Sequence, residues 1–285
     1  MYKQTVVTIL GIVFLLVMPQ HGRTQSGAKA GLSVDEIVYN TNRVSYYQGT
    51  DGRARVHMNI VDSQGRQRHR EMTLLRLDMP DPDADGKQKQ QGADGFCGDQ
   101  KMYVFFHRPA DIYKTVFMVW KHLDKDDDRW MYLPALDLVK RIAATDKRTS
   151  FVGSDFFYED VSGRHITDDV HELIKTTDTY YVLKNTPKDP ALVEFSYFEL
   201  WIHKDSFIVV KTDYYDKSGK KYRTYEALQV DTVQGYPTVV KSRMSDLRTG
   251  GYSEFTYSDV RYNIGITEDI FAERYLRKAP RKYLR

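Results

Sequence analysis

Three carboxylates, Asp155, Glu159 and Asp160, lie within six residues. A pair of carboxylates on either side of a sugar ring can hydrolyse a glycosidic bond. Acids at this spacing also cap turns and pair with cations such as Arg141 or Arg164, and that structural role is the expectation. Asp81-x-Asp83-x-Asp85-Gly86 opens like a calcium loop, which requires a bidentate Glu at its twelfth position. Gly92 stands there, strands are expected on both sides, and the stretch reads as a solvated insert. Asp124-Lys125-Asp126-Asp127-Asp128 reads as an exposed turn rather than a metal cluster.

Other reactive signatures fall short of their chemistry. His171-Glu172 lacks the second His of a zinc helix, and no His-x-His pair occurs. Gly153-Ser154-Asp155 lacks the flanking glycine of a nucleophile elbow. Gly219-Lys220 is followed by Lys221 without the glycine spacing of a phosphate loop. Cys97 is the single cysteine, so an internal disulfide is excluded and the core must hold the domain. It sits between Gly95-Phe96 and Gly98 in a polar stretch and reads as incidental. No catalytic residue, metal site or cofactor is expected.

The elements behind these residues are mostly strands. Aromatics make up 13% of the 285 residues, 21 of them Tyr, a bias that favours pleated structure. One helix is expected over 34–46, with Ser33 and Glu36 spaced as a capping box and Gly49 and Gly52 beyond its end. From Arg53 the period becomes two: Val56, Met58 and Ile60 alternate with polar neighbours, Asp62-Ser63-Gln64-Gly65 turns, and a return strand runs over 67–79. Residues 80–100 are too polar to supply a core and read as a loop insert. Strands follow over 102–106 and 115–120, then seven more over 171–176, 179–186, 195–203, 207–215, 221–231, 237–247 and 252–262. An antiparallel meander of this length must curl or split. A helical piece over 269–276 precedes a basic tail of Arg277, Lys278, Arg281, Lys282 and Arg285, read as solvated, with transient membrane contact through anionic lipid headgroups as the alternative.

The first thirty residues stand apart. Lys3 precedes an apolar run over 6–18, the layout of a secretory signal, with Ala28-Lys29-Ala30 as a cleavage site. Its removal takes away three of the 42 basic residues and none of the 39 acidic ones, leaving no formal net charge. Nucleic-acid binding thereby loses its electrostatic footing. No cysteine follows the run to carry a lipid, so residues 31–285 are expected as one exported, unlipidated domain.

The organising stretch runs over 129–161: two short strands about a Pro-led turn, then a Gly-Ser-Asp turn dense in aromatics. It offers an apolar wall and no visible reacting group. Arg108-Pro109-Ala110-Asp111, then Arg129-Trp130-Met131-Tyr132-Leu133-Pro134-Ala135-Leu136, Lys140-Arg141-Ile142, Gly153-Ser154-Asp155-Phe156 and Tyr158-Glu159-Asp160 resemble the LolA-like family of outer-membrane lipoprotein-sorting proteins. Tyr214-Tyr215-Asp216-Lys217, Leu247-Arg248-Thr249-Gly250, Ser258-Asp259-Val260-Arg261 and Arg274-Tyr275-Leu276 continue the resemblance, which covers about residues 32–278. The 80–100 insert is longer than usual for it.

The resemblance implies a mainly β fold: one strongly curved antiparallel sheet, a half-open barrel as in LolA and LolB, with a few covering helices. It also implies a periplasmic carrier whose hollow takes acyl chains of lipids or lipoproteins. A handover partner of the resistance-nodulation-division (RND) transporter type is a further implication. A non-catalytic accessory subunit of such a transporter, holding no lipid, is the alternative. The expected lining is Phe106, Phe117, Trp120, Trp130, Tyr132, Leu133, Phe151, Phe156, Phe157 and Trp201, with strand parity open by one residue.

Overall fold

Ser33 starts the first helix, α1 (Val34–Tyr46), in the computed structural model, which describes residues 31–80 and 98–284. The Ser33 hydroxyl accepts the Glu36 N–H at 3.2 Å, and the Glu36 carboxylate accepts the Ser33 N–H at 2.8 Å. This is the expected capping box, with the expected boundaries. The proposed signal segment, the calcium-like run and Cys97 lie outside the described residues.

The described strands form a single antiparallel sheet: β1 (Asp51–Val61), β2 (Gln67–Asp78), β3 (Gln100–Arg108), β4 (Val116–Lys121), β5 (Asp128–Leu133), β6 (Leu138–Ile142), β7 (Asp169–Thr176), β8 (Tyr180–Pro187), β9 (Phe195–His203), β10 (Val209–Asp216), β11 (Lys221–Val233), β12 (Tyr236–Asp246) and β13 (Gly251–Tyr262). Their spatial order is β6-β5-β4-β3-β2-β1-β13-β12-β11-β10-β9-β8-β7. The chain therefore starts at the middle, works outward to β6, crosses to the opposite edge at β7, and returns until β13 pairs with β1. Met58 opposite Phe255 marks that central seam. The sheet is not closed.

Three segments cover it. On the inner face, α1 lays Ile37 and Val38 against Leu183 and Ile202. The crossing segment, residues 143–168, packs Phe151 and Phe156 onto Val56, Met72, Phe106 and Phe117. It carries the short helix α2 (Tyr158–Ser162), where only an aromatic turn was expected. On the outer face of β2–β5, residues after β13 bury Ile266, Ile270, Phe271 and Leu276 against Leu75, Tyr103, Val116 and Met118.

The single closing helix expected over 269–276 is instead a 3-10 turn (Glu268–Phe271) followed by α3 (Arg274–Arg277). The tail beyond is not simply solvated, because Tyr283 and Leu284 are buried in the same outer cluster. Trp120 Nε1 donates to the Phe271 carbonyl at 2.9 Å and Tyr103 donates to the Tyr275 carbonyl at 2.7 Å, so the apolar seat is also satisfied in its polar atoms. Asp51 holds the start of this segment by accepting N–H bonds from Ile264, Gly265 and Ile266.

Candidate functional site

The expected aromatic wall divides between the two faces of the sheet. Trp120, Trp130 and Tyr132 lie on the outer face, against the C-terminal segment. Trp201 also points outward, with Lys175 and Lys211 over its ring. Parity decides this: Leu200 and Ile202 face inward under α1, so their neighbour Trp201 cannot. Phe106 and Phe117 do face inward, but they pack solidly with Phe151 and Tyr158. Leu133 packs against the same cluster. Phe157 lies against two guanidinium groups, Arg223 Cζ 4.0 Å and Arg148 Cζ 4.9 Å from its centroid. Of the ten, Phe151 and Phe156 reach an open space.

That space is a hollow of about 400 Å³ over the middle strands and the returning arm of the sheet. Ala54, Val56, Met72, Leu74, Met102 and Val104 form one wall. Leu200, Val209, Met244, Phe255 and Val260 form the other, with Val38 and Val44 of α1 and Val161 of the crossing segment closing over it. The volume lies within the range of small-molecule sites, about 300–1,000 Å³.

Hydroxyl groups interrupt the apolar lining. Tyr46, Tyr214, Tyr225 and Tyr257 all contribute to it. Burial pushes the Tyr214 and Tyr225 phenols up to about 12 and also raises those of Tyr46 and Tyr257. All four are therefore neutral donors at ordinary pH. The Ser242 hydroxyl also lines the hollow, near enough to Tyr225 and Tyr257 to favour their ionisation slightly against the larger effect of burial. From the sequence, Tyr46 falls at the end of a helix and the other three in strands, since the signal that joins them is three-dimensional.

A buried charge cluster fastens the crossing segment above the hollow. Arg164 donates to both oxygens of Asp169 at 2.8 and 2.9 Å, and Arg148 to both oxygens of Glu194 at 3.1 and 2.6 Å. Glu159, 1% exposed, receives Arg148 at 3.1 Å and Arg164 at 3.2 Å, with Lys147 also 3.1 Å away. Burial would raise its carboxyl, but these three cations prevail and hold it at about 2. Asp160 caps α2 by accepting the Phe157 N–H at 2.6 Å and pairs with Arg223 of β11.

The carboxylates therefore act as expected for structure. Glu159 pairs with Arg164, whereas Arg141 pairs with Asp128 and reaches none of the three acids. Asp155 accepts the Ser253 hydroxyl at 2.6 Å and donates its N–H back to that oxygen at 3.0 Å. Gly153 takes φ +81°, and Ser154 closes the same turn on the Phe151 carbonyl at 2.7 Å. Tyr158 packs on Phe117 and Phe151. Arg108, Pro109 and Asp111 lie away from the hollow, at the exposed end of β3, with Arg108 Nε 3.7 Å from Glu71.

The run 124–128 is not wholly an exposed turn. Asp127 is buried between Arg129 and His165, the latter at 2.8 Å. Among the described residues, no group of three or more His, Cys, Asp or Glu is placed to hold a metal ion, and no helix is long and apolar enough to cross a membrane.

A model of a protein family described as "uncharacterized protein" matches residues 98–278. No curated protein matches the chain. A DUF1329 family protein from Desulfovibrio piger shares 27% identity at a TM-score of 0.72, over 85% of this chain and 98% of its own. A structure named as an outer membrane lipoprotein-sorting protein domain, from Vibrio parahaemolyticus, shares 25% identity at 0.71, over 84% and 97%. A LolA superfamily protein from Nitrosomonas europaea has the same fold at 0.63 with 18% identity, over 86% of this chain and all of its own.

Proposed function

We propose that the chain, which belongs to the family of uncharacterized proteins whose model spans residues 98–278 and shares its fold with a LolA superfamily protein, is a non-catalytic carrier. It takes acyl chains of lipids or lipoproteins into the hollow and hands them on in the periplasm, after export and removal of residues 1–30. The observation that carries this reading is the roofed hollow of about 400 Å³, walled by Met, Leu, Val and Phe side chains from both arms of one sheet.

The physics of a carrier fits such a space. Each methylene withdrawn from water contributes about 0.8 kcal/mol, so a modest length of chain gives useful affinity. Release then requires movement of the roof, which is two covering segments rather than sheet. The residues that roof it, α1 and 143–168, are joined to the sheet by charged and polar clasps that a partner could loosen. A receiving transporter of the RND type suits this handover.

The test is native mass spectrometry of the full chain purified without denaturant from the cell envelope. A co-purifying lipid or lipopeptide, released as the protein unfolds, supports the carrier. Consistently empty protein that associates with an envelope transporter overturns it in favour of an accessory subunit.

A further inference from the structure

The hollow's charges are already spent. Arg164 is held by Asp169 and Glu159, and Arg53 by Asp259. Arg76 is held by Asp78 and by the carbonyls of Tyr46, Gln48 and Gly49 at the end of α1. His165 is bonded to Asp127, and His171 to Asn185 and the Ile166 carbonyl. An anionic headgroup entering here would have to break one of these pairs or lie buried without a counter-charge, and either is costly.

Neutral hydrogen-bonding groups are abundant by contrast. Tyr46, Tyr214, Tyr225 and Tyr257 sit close enough that the other three disfavour ionisation of Tyr46. Thr41 and Gln48, on the same wall, are 6% and 9% exposed. Thr41 Oγ1 and Gln48 Oε1 have no partner among the described residues. The Gln48 amide nitrogen is committed to the carbonyls of Val44 and Pro237, at 2.6 and 2.7 Å, so Oε1 remains as an acceptor. A phenol can serve a guest as donor or acceptor, whereas a free amide oxygen only accepts.

Building on the carrier reading, we propose that the cargo is an uncharged amphiphile whose hydroxyl-bearing end enters the hollow and bonds to the phenols of Tyr46, Tyr214, Tyr225 and Tyr257. The apolar body lies along the Met and Val wall, and the guest hydroxyl supplies the donor that Gln48 Oε1 lacks. An ionised fatty acid or a phosphate-bearing lipid is disfavoured because its charge finds no unspent cation.

The experiment loads the full chain with the uncharged dye N-phenyl-1-naphthylamine and displaces it at pH 8 with 1-palmitoylglycerol or with palmitate. The expected result is displacement by the glyceride at about tenfold lower concentration, equivalent to about 1.4 kcal/mol. Y225F/Y257F should narrow that ratio to within about twofold. Tyr46→Phe, which leaves Tyr225, Tyr257 and Ser242 untouched, should shift it in the same sense should the double variant not fold. Palmitate displacing as well as or better than the glyceride, or a ratio untouched by loss of the hydroxyls, overturns the headgroup assignment while leaving a carrier. Failure of the dye and both lipids to bind removes the carrier reading itself.

Discussion

Arg223 on β11 and Asp160 in α2 form an ion pair in which both side chains are shielded from water. The same guanidinium donates to the Asp155 carbonyl at 2.6 Å and lies over the Phe157 ring. One side chain of the returning arm therefore secures two turns of the segment that roofs the hollow. Removing one partner of a buried pair strands the other charge, at a cost of about 3–5 kcal/mol. Arg223→Leu should lower unfolding stability by about that amount in urea titration, and R223L/D160L should recover part of it. A single variant as stable as the parent would show that the pair is not buried in solution.

The acid limb of stability should follow Glu159. Its carboxyl is held at about 2 in the folded chain, against an ordinary 4.5. A depressed carboxyl stabilises the fold above its unfolded value, and that gain is lost as pH falls from about 4.5 towards about 2. The shift corresponds to a contribution on the order of 3 kcal/mol. Glu159→Gln should be less stable at pH 7 and flatter in its pH dependence across that window. Chemical denaturation at pH 3, 5 and 7 measures both, and parallel curves for the two proteins would contradict the assignment.

Filling the hollow should abolish uptake without unfolding the sheet. Leu74 lines it from β2 and is only partly buried, so a larger ring can occupy the space beside it. Leu74→Trp is expected to weaken binding of N-phenyl-1-naphthylamine at least about tenfold, with a melting temperature within a few degrees of the parent. Unchanged dye affinity would place binding elsewhere.

The outer seat of the C-terminal segment makes a separate prediction. Phe271 is fully buried against the first arm, and Trp120 bonds to its carbonyl. Truncating a buried Phe to Ala costs about 3–5 kcal/mol, so Phe271→Ala should lower the urea midpoint markedly. Dye affinity per folded molecule should be retained, because the hollow lies on the other face. Coupled loss of both would mean that the seat shapes the cavity.

The strands were legible because most show a wet and a dry side. β1 alternates buried Val56, Met58 and Ile60 with more exposed neighbours, and its period announces a strand. The capping box of α1 was equally plain, because both partners lie within four residues. Around Phe117 and Trp130 that signal fails. β4 is buried on both sides except at Trp120, so nothing in its pattern says which side faces the hollow.

The missing information sits far along the chain, in Ile270, Phe271 and Leu276, which convert an outer surface into a second core. The phenol group was invisible for a similar reason. Tyr46, Tyr214, Tyr225 and Tyr257 come from a helix and three strands, and only curvature of the sheet assembles them.

The pairing of β1 with β13 also bears on assembly. A chain that emerges N-terminus first can zip β1 to β2 at once, but the far edge of β1 has no mate until residues 251–262 have appeared. For that interval a long template of unpaired amides is open to the wrong strand, whether from a neighbour or from the chain itself. Joining such distant segments is slow, so this protein should depend on dilution or on a holding chaperone during synthesis more than its local hairpins suggest.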